Sequence, residues 1–96
     1  MKKVNIYQLD INSNYLFMSY EFAKEHGFNL YDYKLVASFN TDNTDLEHIF
    51  FIGNNGGLQK HFKMRSLSVS DIIEINGKKF FVDSFGFKEI DEEIIL

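Results

Sequence analysis

Three serines at alternate positions, Ser66, Ser68 and Ser70, run into Asp71, and three histidines, His26, His48 and His61, offer bases elsewhere in the chain. A serine hydroxyl is a weak nucleophile until a base, itself held by a third group, removes its proton. Here no G-x-S-x-G elbow surrounds any of the serines, and Asp71 is too close in sequence to orient a relaying histidine. A Ser/Asp turn leading into a strand explains the segment better, because such side chains satisfy backbone groups before the sheet does. The histidines lie in three separate segments without an H-x-x-H or H-x-x-x-H pair. Asp45 and His48 share a helix face, but two ligands do not make a metal site. "GNNGG" resembles a phosphate loop in composition alone, since it follows a helix and lacks the Lys-Ser/Thr ending. Asp10, Glu74 and Asp83 are spaced in no pattern that suggests an acid/base pair. The expectation is therefore a protein with no catalytic residues, no metal and no cofactor.

Charge offers more than nucleophiles do. The formal net charge is −4, yet one short stripe, "KHFKMR", is basic. If extended, it sets His61, Lys63 and Arg65 on one side and Lys60, Phe62 and Met64 on the other. Lys60, Lys63 and Arg65 could contact phosphates, or the stripe could be an edge strand protected by lysine. Acidic residues fall into two groups: Asp42, Asp45 and Glu47, and then Glu89, Asp91, Glu92 and Glu93 in the tail "KEIDEEIIL". That tail reads as a last amphipathic turn on the body or as a strip that docks a partner. An acidic balance disfavours general binding to duplex nucleic acid, which needs several neutralised phosphates.

The elements that position these residues follow from periodicity and turn chemistry. "KVNIYQL" alternates as a first strand, and "DINSN" is a turn. "YLFMSYEFAKEHGF" runs into a helix with Ser19 as N-cap, Phe22 facing inward and Gly27 as the stop. "YKLVASF" is a second strand carrying Leu35, Val36 and Phe39. The pattern Thr44, Asp45, Leu46, Glu47 is a capping box, so a second helix begins at Asp45, buries Leu46, Ile49 and Phe50, and ends at Gly53. After "LQKHFKMRS" comes a hairpin, "DIIEI", Asn76-Gly77, "KKFFVDSF", with Phe80 to Phe85 in a central strand; Asn-Gly between apolar runs marks a two-residue turn. Strands and helices do not alternate strictly, which favours α+β over a parallel design. The fold expected is a small single domain over residues 1–96, a mainly antiparallel sheet with two short helices and a C-terminal Asn-Gly hairpin. Eleven Phe and five Tyr without Trp predict a core of phenyl rings. The absence of Cys excludes disulfides and thiolate chemistry. No stretch approaches a membrane span, and Asn5, Gln8 and Asp10 interrupt the apolar run behind the basic start, so a soluble cytoplasmic protein without a cleaved leader is expected.

The pieces "IYQL", "FMSYEF", "YKLVASF", "LEHIFF", "RSLSVSDIIEI" and "FVDSFGF" together resemble the YodL-like small domains found in proteins of bacterial conjugative and other mobile DNA. The resemblance spans nearly the whole chain, and its last block is the most specific. It implies a gene carried on mobile DNA and an action inside the cell, and it brings no catalytic residue with it. On this basis the expected function is a non-catalytic binding protein that modulates or inhibits a host protein, such as a DNA-defence nuclease, of the anti-restriction or anti-CRISPR type. Acidic partner-binding residues would be Asp42, Asp45, Glu47, Glu89, Asp91, Glu92 and Glu93. The alternative is a nucleic-acid accessory module that uses Lys60, Lys63 and Arg65.

Overall fold

A computed structural model describes residues 1–90. The chain opens with β1 (Lys2–Leu9), passes through turns into helix α1 (Tyr20–Glu25), and continues by a 3-10 turn at Leu30–Asp32 into β2 (Tyr33–Thr41). Helix α2 (Leu46–Asn54) and a 3-10 turn at Leu58–Lys60 follow, and then β3 (Ile72–Ile75), β4 (Lys78–Val82) and β5 (Phe87–Ile90). The strands form one sheet in the order β2-β1-β3-β4-β5, and every neighbouring pair is antiparallel. This is an α+β domain.

Side-chain alternation explains why both faces are covered. Val4, Ile6, Ala37, Ile73 and Val82 point to one face, where Ile49 of α2 meets them together with Leu58 and Leu67. Leu9, Ile72, Phe81 and Ile90 point to the other, against Tyr15 and Ala23 of α1. Adjacent apolar residues such as Ile72-Ile73 and Phe81-Val82 therefore serve opposite cores. A strand buried on both faces loses the polar/apolar alternation that marks a half-exposed one. The second core is aromatic: the Phe81 ring lies 5.1 Å from Tyr20 and 5.8 Å from Phe28, and the Phe28 ring lies 6.0 Å from Tyr15. Such tilted and edge contacts each add about 0.5–1.5 kcal/mol to the burial term.

Local signals act as the sequence suggests at the helix starts and at the hairpin. The Ser19 hydroxyl accepts from the Phe22 amide at 3.2 Å, and α1 stops ahead of Gly27, whose φ is +84°. Asp45 caps α2 by accepting from the Glu47 amide at 3.1 Å. Asn76 and Gly77 have φ of +50° and +86°, and Ile75 pairs with Lys78, which is a two-residue type I′ geometry. A β-branched side chain at Gly77 takes positive φ only with strain, so Gly77→Val is expected to lower stability by about 1 kcal/mol or more. Urea unfolding of the two proteins checks it, and an unchanged midpoint would remove the turn from the list of things that hold the hairpin.

Elsewhere the expectations need correction. Strand β4 is interior, as foreseen, but ends at Val82, because Asp83 turns the chain: its amide donates to the Gly86 carbonyl at 3.0 Å. Phe85 sits at the tip of that turn, 96% exposed. Helix α2 runs one residue beyond Gly53 and fully buries Ile49 but only half-buries Leu46 and Phe50. "KHFKMR" is not an edge strand. It leaves a 3-10 turn and crosses to the sheet as irregular chain, with the Phe62 ring 6.1 Å from Phe39. The start of "KEIDEEIIL" belongs to a fifth strand rather than to an amphipathic turn, since Lys88, Glu89 and Ile90 pair with Phe81, Phe80 and Lys79.

Candidate functional site

Of the acidic residues, Asp45 and Glu47 line one cleft, and Glu89 stands on the strand beside it. Thr41 and Asn43 order the β2–α2 connection: the Thr41 hydroxyl accepts from the Asn43 amide at 3.2 Å, and the Asn43 side chain accepts from the Asp45 amide at 3.0 Å. This places Asp45 as the cap and Glu47 in the first turn of α2, where negative charge meets the positive end of the helix. Glu89 of β5 stands opposite Phe80 of β4. Between them opens a cleft of about 560 Å³ lined by Leu46, Ile75, Phe80 and Phe87, with Asp45, Glu47, Lys2 and Lys78 around it. An apolar floor with a few charged groups at the rim is the usual form of a binding depression. Asp42 lies beside it, fully solvated, 3.7 Å from the Met1 amino group. Asp91, Glu92 and Glu93 lie outside the described residues.

The basic stripe is dispersed instead of assembled. Lys60 and Lys63 are exposed, whereas the Arg65 guanidinium turns inward and its Nη2 donates to the Leu9 carbonyl. The Arg65 backbone is held as well: its amide donates to Gln8 Oε1 at 3.1 Å, and its carbonyl accepts from Gln8 Nε2 and Gln59 Nε2, both at 3.1 Å. Arg65 is thus a clamp on the crossing segment.

The serine run has the same structural character. Gln8, 3% exposed, donates to Asp71 Oδ2 at 3.0 Å, and the Ser68 amide donates to the same oxygen at 2.9 Å. Burial pushes the Asp71 carboxyl up to about 7, and these two bonds and the Arg65 charge offset only part of that cost. Ser70 takes a left-handed φ of +85° and is fully buried; its hydroxyl accepts from the amide of Phe17, itself at φ +66°, at 2.9 Å. Its carbonyl accepts from the Tyr33 hydroxyl, whose own ionisation burial holds far above the usual range. None of the histidines bonds to a serine among the described residues. His26 Nδ1 sits 2.9 Å from the Phe22 carbonyl and its ring stacks on Phe22 at 3.8 Å, His48 lies on α2, and His61 follows the second 3-10 turn. Asp10 accepts from the Asn12 amide and Asp83 from the amides of Ser84 and Tyr20, so each carboxylate serves its own turn. Among the described residues, no three His, Asp or Glu gather as metal ligands, and no helix is long and apolar enough to cross a membrane.

One polar cluster escaped the sequence reading. Glu74 accepts from Asn5 Nδ2 at 2.8 Å and the Tyr7 hydroxyl at 3.0 Å, and pairs with Lys79 Nζ at 2.9 Å. Burial opposes its charge, but these partners outweigh it and leave the carboxyl below its ordinary value, while Tyr7 is pushed up to about 12 by burial and by Glu74. The Asn76-Gly77 turn fixes the register that sets Glu74 opposite Lys79, so that half of the cluster was open to inference. Asn5 and Tyr7 come from a strand about seventy residues earlier, and no local signal announces them.

Compared with known proteins, the chain matches the family model described as YodL-like domain over residues 3–92. No curated protein and no solved structure matches it.

Proposed function

We propose that this chain, which belongs to the YodL-like domain family, is a non-catalytic binding protein carried by mobile DNA that modulates or inhibits a host protein such as a DNA-defence nuclease. The observation that carries this reading is the apolar-floored cleft with Asp45 and Glu47 at its rim and Glu89 beside it. A protein that processes nucleic acid carries a cationic groove, and acidic groups beside an apolar seat complement it: the charges speed encounter, and the buried apolar contact holds the complex. The nucleic-acid reading has less support, since Arg65 is engaged with Leu9 and only Lys60 and Lys63 face solvent.

The test is kinetic, with a purified DNA-cleaving defence nuclease as the probe. Glu47→Lys combined with Glu89→Lys should slow association about tenfold or more at low salt, with the defect shrinking as salt rises, because screening removes steering more than it removes contact. Asp45 is left in place because it caps α2. Lys60→Glu with Lys63→Glu should change little. Binding to DNA alone that disappears in the lysine variants would replace this reading with the nucleic-acid one.

A further inference from the structure

The cleft beside α2 is electrically divided. Alternate residues of a strand share a face, and so do residues directly opposite on neighbouring strands. Val4 and Ile75 pack in the core on the α2 side, so Lys2, two residues before Val4, and Lys78, opposite Ile75, project to that side as well. Both lysines line the cleft from the sheet, while both acids, Asp45 and Glu47, line it from the start of α2. Glu89 shares this face from the outer strand without lining the cleft.

Nothing neutralises the two walls. All four charged residues are exposed, and among the described residues neither lysine pairs with either acid. Between the walls Leu46, Ile75, Phe80 and Phe87 are only half-buried, so the floor of the cleft of about 560 Å³ is apolar surface left open. That volume has room for a short run of side chains.

We propose that the cleft seats a segment of a partner protein in which an apolar side chain lies between a basic and an acidic residue, the basic one facing Asp45 and Glu47 and the acidic one facing Lys2 and Lys78. This deepens the reading of the cleft as a partner's seat and rests on it. A uniformly basic segment loses against the lysines what it gains at the acids, and a uniformly acidic one meets the reverse. Only the mixed segment gains at both walls. Burial of the apolar side chain on the floor supplies contact that salt does not screen, and the charges select the sequence and its direction. On a cationic groove, the matching place is one where a basic residue and an acid flank an apolar residue.

Titration of the whole chain, followed through its backbone amide resonances, tests this with three acetylated and amidated pentapeptides: Gly-Lys-Phe-Glu-Gly, Gly-Lys-Phe-Lys-Gly and Gly-Glu-Phe-Glu-Gly. The mixed peptide should shift the amides of Leu46, Ile75, Phe80 and Phe87 and bind about tenfold more tightly than either of the others, since in each of those one attractive exposed pair becomes repulsive. Lys2→Glu combined with Lys78→Glu should transfer the preference to the peptide with two lysines. A wild-type chain that prefers the two-lysine peptide overturns the proposal and leaves the partner reading standing. A mixed peptide that binds no better than the others, or that shifts amides away from the cleft, overturns it too. If the double variant unfolds, Glu47→Lys decides, because it should transfer the preference to the two-glutamate peptide. The nuclease experiment judges the partner reading separately, so the two can fail apart.

Discussion

Stability should fall as the pH rises from about 4 to about 8, and Asp71→Asn should remove most of that fall. Asp71 is 1% exposed, and its carboxyl titrates near 7 in the folded protein against an ordinary value of 3.8. Below pH 3.8 both the folded and the unfolded chain hold the proton, and the group costs nothing. Between the two values the unfolded chain loses its proton while the folded one keeps it. The folded state then binds more protons, and stability declines with pH by up to about 1.4 kcal/mol per unit. Above 7 both forms are ionised and the loss, on the order of a few kcal/mol, is complete. Glu74 has the opposite sign. Its lowered carboxyl contributes stability that is present above 4.5 and lost as the pH falls through its folded value. Stability is therefore greatest at acid pH, below about 4.5, where the two opposing slopes meet. In the Asn variant the side-chain oxygen still accepts from Ser68 and Gln8, and the amide nitrogen replaces Oδ1, an atom that is buried without a partner. Urea unfolding at a series of pH values from 4 to 9 checks this. A wild-type curve that is flat or rising between pH 5 and 8, or equal slopes in the two proteins, would show that Asp71 is solvated after all.

Asp71 also shows where sequence reasoning stops. Its placement in a Ser/Asp turn ahead of a strand was legible, because the cause is local backbone chemistry. Its burial was not, because that depends on Gln8, sixty-three residues away, and on the crossing segment held by Arg65. The same division runs through the fold. Ser19, Asp45 and Asn76-Gly77 act within three residues of themselves, so caps and turn appear in the sequence as they do in the structure. In the stripe "KHFKMR" the alternation holds as far as Met64, with Phe62 and Met64 on the α2 side of the sheet and His61 and Lys63 exposed, but no strand forms and Arg65 turns in to the Leu9 carbonyl, a contact fifty-six residues away in sequence. The fifth strand was hidden for a related reason: Lys88 and Glu89 are exposed beside a single buried Ile90, a pattern too short to tell an edge strand from a helical turn. For the candidate site, the acidic residues could be chosen from charge alone. Their meeting around a cleft with Phe80 and Phe87 depends on the sheet order, which nothing local encodes.

Phe81→Ala should be the most damaging single truncation in the hairpin, costing about 3–5 kcal/mol, while Phe85→Ala should be nearly neutral. The two residues lie four positions apart in "FFVDSF", and composition does not distinguish them. Phe81 has no exposed surface, and its ring packs against those of Tyr20 and Phe28, so its removal leaves a cavity that α1 can close only by giving up the bond from the Tyr20 amide to Asp83. Phe85 is 96% exposed at the tip of a turn whose shape comes from the Asp83 amide on the Gly86 carbonyl and the Asp83 carboxylate on the Ser84 amide. Neither bond needs the phenyl ring. Phe80 separates the core from the cleft: it is half-buried and lines the depression beside α2, so Phe80→Ala should cost less than Phe81→Ala and, unlike Phe85→Ala, should weaken whatever seats itself there. Denaturant midpoints for the three variants give the ranking. Equal losses at Phe80 and Phe81 would mean that the strand is rotated by one residue, which would exchange the two faces of the hairpin and take the apolar floor out of the cleft.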